Sequence, residues 1–279
     1  MFTLIAENKY GQTLNLTHNQ AYDISSIDGL APIDATINTT KNAGQDGSVF
    51  NSSYNNERQI ILTVAINNPA EMNRLNLYKY FRTKEKVRLY YTNDSLNVYI
   101  DGYVSEVSVD YFANKQIAQI TILCPEPFWN DVYTSVQTID PSVPLFEFPF
   151  SIEEDDPIPF SELDYTGETR VYNDGNVECG CRIRVIPQGN ITKFTITNSN
   201  TGEVFKYTGS VTAGTPVEID TRVGHKDVRI YTTKKIQYVA AGSTWFQLRP
   251  GVNPFYVTTG TGEASCEMIF TVVNQYQGV

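Results

Sequence analysis

Imidazole is almost missing from this chain of 279 residues: His18 and His225 are its only histidines. That scarcity removes the commonest general base and the commonest metal ligand in one stroke. Cysteine is scarce too. Cys124, Cys179, Cys181 and Cys266 are too few and too scattered for a disulfide scaffold. Long apolar runs are absent, and nothing approaches the roughly 20 residues needed to span a bilayer. The first residues, Met1-Phe2-Thr3-Leu4-Ile5-Ala6-Glu7, carry neither a basic region nor a long apolar core, so no signal peptide is read there. The expectation is a soluble protein made in the cytoplasm, without membrane insertion.

Positive charge is missing from one long stretch. No Lys or Arg lies between Lys115 and Arg170, whereas residues 116–169 hold 11 carboxylates. The remainder has 21 basic and 20 acidic residues, so this one segment supplies the whole net charge of −10. A nucleic-acid grip needs Lys and Arg to neutralise phosphates, and no basic stripe provides it.

What is present favours β structure. Tyr (18) and Phe (14) join many Thr, Val and Ile residues, types that fit a pleated, half-buried surface. Short strands are expected at 2–6 and 12–17 around an Asn8–Gly11 turn, and an extended stretch at Pro32–Lys41. The Gly-, Ser- and Asn-rich run to Asn56 predicts a long exposed loop. Gln59–Asn67 is the clearest strand, with Ile60, Leu62, Val64 and Ile66 on one face. Asn68 as N-cap, Pro69 at the first helical position and Glu71 at the third predict a helix to about Lys84. Its expected inner face is Met72, Leu75, Tyr78 and Phe81.

Strands follow at 87–91, at 97–110 with a bulge or sharp coil around Gly102, and at Ala118–Cys124. Pro125 and Pro127 then stop the ladder. Residues 131–164 read as an acidic connecting arm with Pro141, Pro144, Pro149, Pro157 and Pro159. Its Phe146, Phe148, Phe150 and Phe160 favour an extended, packed arm over a disordered linker. From Arg170 the alternation returns. Cys179, Cys181, Ile183 and Val185 share a face, and strands near 194–196, 204–207, 217–220, 228–232, 236–239, 245–248, 254–258 and 264–273 are spaced for a sandwich.

Catalytic and metal chemistry find little purchase. Cys179 and Cys181 point the same way at i and i+2, but a structural zinc needs four ligands, and Cys266 alternates with Met268, Phe270 and Val272 as a core residue does. Nucleophilic catalysis needs a base within reach of a Ser, Thr or Cys, but His18, at a strand end in Thr17-His18-Asn19, and His225, in the turn Gly224-His225-Lys226-Asp227, read as solvated loop residues. Glu153, Glu154, Asp155 and Asp156 are consecutive. That is a solvated face rather than two carboxyls across a cleft, and the spacing fits no calcium loop. Gly260-Thr261-Gly262 lacks the Lys and helix of a phosphate loop. The chain is therefore read as a non-enzyme without cofactor or metal. A sugar site is the alternative, using Trp245, Arg249 and Asn253 near loops of the sandwich, with His225 close by.

Several motifs together carry a resemblance. They are the strand Gln59–Asn67, the Asn68-Pro69-x-Glu71 helix start, and Asp101-Gly102-Tyr103-Val104. Ile122-Leu123-Cys124-Pro125-Glu126-Pro127-Phe128-Trp129, Asn173-Asp174-Gly175-Asn176 and Phe246-Gln247-Leu248-Arg249-Pro250-Gly251-Val252-Asn253 complete the set. The chain resembles the distal tail protein family of siphophage-type tails over nearly its whole length.

The resemblance implies a mainly β protein in three parts. Residues 1–130 would be a β-barrel-like, ring-forming, tail-tube-like domain with one α-helix. Residues 131–164 would be the arm, and 165–279 a galectin-like β-sandwich projecting outward. Six copies would form a ring at the tail tip of the virion, assembled in the host cytoplasm. That ring would join the tail tube protein to the tail-associated hub protein and hold receptor-binding or baseplate proteins, while DNA passes without specific binding. Gly44, Asp46, Gly47, Val49 and Phe50 are the candidate ring-interface loop. The alternative function is a carbohydrate-binding adhesin acting through the sandwich.

Overall fold

The computed structural model describes residues 2–44, 46–139, 142–144, 161–163, 169–260 and 264–279. The chain divides into two compact units, Met1–Tyr133 with Gln275–Val279, and Thr134–Asn274. The last five residues, read from sequence as part of the sandwich, thus belong to the first unit. The reason is a short strand, Gln275–Tyr276, that pairs with Trp129 and Asn130.

The first unit begins with β1 (Thr3–Asn8), β2 (Thr13–Asn15), β3 (Tyr22–Asp28), β4 (Ala35–Thr40), β5 (Val49–Asn55) and β6 (Arg58–Ile66). It continues with α1 (Ala70–Tyr80), β7 (Lys86–Thr92), β8 (Asn97–Val109), β9 (Gln116–Cys124) and β10 (Trp129–Asp131). The main sheet runs β2-β1-β7-β8-β9-β6-β3, and β10 joins β8. The expected alternation decides which face is buried. Ile60, Leu62, Val64 and Ile66 face Ala118, Ile120, Ile122 and Cys124 in one core. Leu14 and Leu16 from one end of the sheet and Tyr22 from the other share that core, so the sheet curls on itself like a barrel.

Three local expectations change. Gly102 does not bulge: it pairs regularly with Val87, and the register shift lies between Val104 and Glu106. Glycine is required at 102 by close approach, since a Cβ there would stand 2.5 Å from Ile122 Cγ2 and 2.7 Å from Cys124 Sγ. Beside it, Asp101 accepts from Arg88 at 2.7 and 2.9 Å and from Lys86 at 2.9 Å. Burial works against that carboxylate, but the hydrogen bonds from Arg88 and Lys86 hold it below its ordinary value.

The helix is the second change. Pro69 occupies the cap position with no side-chain cap bond, and Phe81 ends the helix. Its inward residues are Ala70, Leu77, Tyr80 and Phe81, while Met72 is 64% and Leu75 53% exposed. Both stripes have apolar residues at helical spacing. The inward one is chosen by contacts at the helix start, where Asn73 Nδ2 donates to the Asn67 carbonyl and Tyr22 Oη to the Asn73 carbonyl. The third change is the long loop, which is a two-stranded hairpin of β4 and β5. The strand β3 was not anticipated.

In the second unit, β11 (Ser135–Ile139), β12 (Ser142–Pro144) and β13 (Ser161–Leu163) come from the segment read as an arm. There β11 pairs with a sandwich strand, and β12 pairs with β13. Phe146, Phe148, Phe150, Phe160 and the run 153–156 lie outside the described residues. The remaining strands are β14 (Thr169–Asn173), β15 (Cys181–Pro187), β16 (Phe194–Asn198), β17 (Val204–Tyr207), β18 (Val217–Asp220), β19 (Asp227–Ile230), β20 (Thr233–Lys234), β21 (Gly251–Thr259) and β22 (Cys266–Val272).

Two sheets, β11-β22-β15-β18-β19-β20 and β14-β21-β16-β17, enclose a single core. Phe255 of one sheet and Phe270 of the other meet at 5.0 Å between ring centroids. Ile236–Tyr238 form a 3-10 turn instead of a strand; the Tyr238 carbonyl accepts from the amide and hydroxyl of Thr208, and Val239 makes a single bridge to Tyr207. Residues 245–248 are not a strand either; Phe246 and Leu248 are buried, and Leu248 makes a single bridge to Cys179.

Candidate assembly surfaces

The two thiols placed together by the sequence are both core residues. Burial pushes Cys179 and Cys181 up to about 12, and Cys124 likewise. All four cysteines are buried. Thiols of this kind are protonated at neutral pH and inert. Among the described residues, no group of three or more His, Cys, Asp or Glu side chains is placed to hold a metal. Ellman's reagent at pH 8 is therefore expected to find no reactive thiol in the native chain and four after unfolding in guanidinium. A native thiol reacting within minutes would contradict this packing.

The three candidate sugar residues are differently employed. Trp245 is half-buried and edge-on to Phe205 at 5.3 Å. Asn253 is 3% exposed. Its Oδ1 accepts from the Arg249 amide, and its Nδ2 donates to the Arg249 and Gly251 carbonyls. That side chain is buried, builds the Pro250-Gly251 turn and spends both of its amide donors on it. Arg249 is exposed, 3.7 Å from Glu178. His225 lies elsewhere, beside a groove of about 480 Å³ lined by Arg182, Arg184, Glu218, Arg222 and Arg229. Asp220 holds Arg222 at 2.6 Å and Arg182 at 3.3 Å there. Burial opposes its charge, yet the bonds from Arg222, with Arg182 adding, keep its carboxyl below the ordinary value. The groove is largely a network of ion pairs that satisfy one another.

The hairpin β4–β5 is a different kind of surface. Every residue of β5 is exposed, as is all of β4 except Thr36. Ile37 (64%), Val49 (48%), Phe50 (61%) and Tyr54 (58%) stand in solvent. Gly44 and Gly47 turn its tip at φ +79° and +87°, a left-handed backbone that other residues rarely adopt; Asp46 lies between them. The five candidate loop residues thus fall on one element, at the tip and first rung of the hairpin. Isolated two-stranded hairpins are marginally stable at best. This one is stitched by Asn51 Nδ2 to Thr40 Oγ1 at 2.6 Å and Thr36 Oγ1 to Asn56 Oδ1 at 2.9 Å.

Its base is anchored by a residue that sequence reading passed over. Arg58 is 1% exposed. Its guanidinium donates to the carbonyls of Gly29, Ala31, Pro127 and Gln277 and lies 5.9 Å from the Trp129 ring centroid. It thus ties the connection between β3 and β4 to the Cys124–Trp129 segment and to the C-terminus. Burial lowers its pKa, and backbone dipoles stand in for a carboxylate.

Residues 9–124 match the phage tail protein RIFT-related domain, and residues 174–273 match the siphovirus-type tail component, C-terminal domain. No curated protein sequence matches. Among solved structures, the chain is similar to SPP1 Dit (gp 19.1), described as a paradigm of the hub adsorption apparatus in Gram-positive infecting phages. That match has a TM-score of 0.69 at 13% identity, covering 98% of this chain and 99% of the other. A chain of the phage P2 baseplate in its activated conformation with Ca matches at TM-score 0.54 and 11% identity, over 100% of both chains. At such identities these structures show a shared fold.

Proposed function

The chain belongs to the siphophage distal tail protein family, structural components of the phage tail and its baseplate hub, and from that premise we propose that six copies close into a ring through their first units. The ring joins the tail tube protein on one side to the tail-associated hub protein on the other. Receptor-binding or baseplate proteins attach at its edge, and DNA passes through without a specific grip. A closed ring needs heterologous contacts, in which one patch of each copy meets a different patch of the next.

The observation that carries this reading is the β4–β5 hairpin. It presents unpaired strand edges and four exposed apolar side chains without a covering layer among the described residues. Exposed edges of this kind template pairing with another chain. Gly44, Asp46, Gly47, Val49 and Phe50 are then the part that reaches the neighbour.

Light scattering on the full chain is expected to give six times the 31.4 kDa mass of one copy, or a doublet of such rings, and negative-stain images a ring with a central hole. A strict monomer at high concentration that also fails to bind its tube and hub proteins would overturn the reading.

A further inference from the structure

A heterologous ring requires a second patch for the hairpin to meet, and the first unit offers one. On the outer stripe of α1, Met72, Leu75 and Tyr78 follow one another at intervals of three, which places them on neighbouring turns. The turn between β8 and β9 adds Tyr111, 51% exposed, and Phe112, which is fully exposed. These pieces are fastened together. Tyr78 Oη and Tyr111 Oη are 3.0 Å apart. The Arg74 guanidinium lies 4.8 Å from the Tyr111 ring centroid, and its Nη1 donates to Gln116 Oε1 at 3.0 Å. The Phe112 amide donates to Asp110 Oδ1, which shapes the turn that holds the ring out. An apolar patch held rigid in solvent marks an interaction site.

The position of this patch selects its occupant. In the pairing of β6 with β9, Arg58 stands opposite Cys124 at one end and Ile66 opposite Gln116 at the other. The hairpin enters β6 at the Arg58 end. The helix leaves from the Ile66 end, where the β8–β9 turn also returns to Gln116. The two apolar surfaces therefore lie at opposite ends of one nine-residue strand, roughly 27 Å apart at the usual rise per residue. Both stay uncovered among the described residues. Two unlike apolar patches at opposite poles are the arrangement of a head-to-tail contact.

We propose that the β4–β5 hairpin of one copy lays Ile37, Phe50 and Tyr54 over the Met72, Leu75 and Phe112 patch of the next copy. This rests on the ring reading and names the two halves of its contact. The hairpin gains the apolar cover that the described residues of its own chain do not supply, and the patch loses its contact with water.

The test uses Phe50→Asp and Phe112→Asp in the full chain. Each is expected to sediment as a monomer, with self-association weakened about 30-fold or more, as for a central apolar anchor. Circular dichroism should be unchanged, because both side chains are in solvent within one copy, and melting should match that of wild type diluted until its ring dissociates. Mixed one to one, the two variants retain one complete contact between them: the intact hairpin of Phe112→Asp and the intact patch of Phe50→Asp. The mixture should give a dimer of twice the chain mass and no ring. A hexameric wild type whose Phe112→Asp variant is also hexameric overturns the pairing and leaves the ring standing. So does a mixture that stays monomeric. Phe112→Ser serves the same comparison if Phe112→Asp misfolds. A wild type that is monomeric under all conditions removes the ring reading, and the pairing with it.

Discussion

Replacing Arg58 by methionine is expected to lower the melting temperature of the first unit by about 10–15 °C. Methionine keeps much of the volume and removes every donor. Four backbone carbonyls, of Gly29, Ala31, Pro127 and Gln277, then lose their partner in a site only 1% exposed. Hydrogen bonds to a charged donor contribute about 1.5–3 kcal/mol each, and since the substitution also relieves the desolvation of the buried guanidinium, a net loss of about 3–5 kcal/mol is expected. Spread over a unit of this size, such a loss corresponds to the stated shift.

Arg58→Lys separates charge from geometry. An ammonium keeps the charge, but a single nitrogen cannot reach the four carbonyls that three guanidinium nitrogens serve, so an intermediate loss is expected. Calorimetry of the full chain measures both variants, with the transition of the second unit as internal reference. Limited proteolysis should open residues 29–34 first, because Gly29 and Ala31 are tethered there. Gly29 has little freedom to compensate: it sits at φ +92°, and a Cβ would stand 2.2 Å from the Gln59 carbonyl oxygen. A melting temperature within about 2 °C of wild type would show that the guanidinium is replaceable by water.

Why this residue escaped the sequence reading has a physical answer. The strand β6 was legible because its alternate positions are buried on one side, and burial leaves a period of two in the sequence. Arg58 sits at the strand's first position, on the same buried face, but it satisfies that face with donors instead of apolar atoms. No pattern of residue types distinguishes that from a solvated arginine. The partners are carbonyls, which every residue has. The hairpin was hidden for the opposite reason. With all of β5 in solvent, no core selects its side chains, so Asn, Ser and Gly accumulate as they would in a loop.

The helix shows a third kind of failure. Its two apolar stripes are both real. One, ending in Leu77 and Phe81, fills the core, while the other, Met72 and Leu75, remains outside. Sequence identifies apolar stripes, and only the neighbours determine which is inside. An outward apolar stripe is what an assembly surface looks like before its partner arrives.

Asn253→Ala is expected to destabilise the second unit by about 2–4 kcal/mol, a shift of roughly 7–14 °C, because it strips partners from the Arg249 amide and from the Arg249 and Gly251 carbonyls. Asn173→Ala should behave similarly. Its Nδ2 serves the Val177 and Leu248 carbonyls, and its Oδ1 accepts from the Gly175 amide. The two residues stand on paired strands, Asn173 opposite Gly251 and Asn253 opposite Val171, so the double variant should lose less than the sum of the singles.

The Asn253→Asp variant gives the argument a sign. Its carboxylate would take the place of an amide that now lies 2.8 Å from the Arg249 carbonyl oxygen, which favours the protonated acid and raises its folded pKa above the unfolded value of about 3.9. The variant should then regain stability below about pH 4 and lose it progressively as pH rises through the folded pKa. Thermal melts of wild type and variant between pH 3.5 and 7 measure this. If the difference between them does not change with pH, the turn is held by something other than this amide. Either way, an asparagine that looked suited to grip a sugar is occupied with its own backbone. The motifs that marked the second unit in the sequence are devices for folding it, whereas the surfaces proposed for assembly, on the first unit, are the hairpin and stripe that the pattern reading had assigned to loop and core.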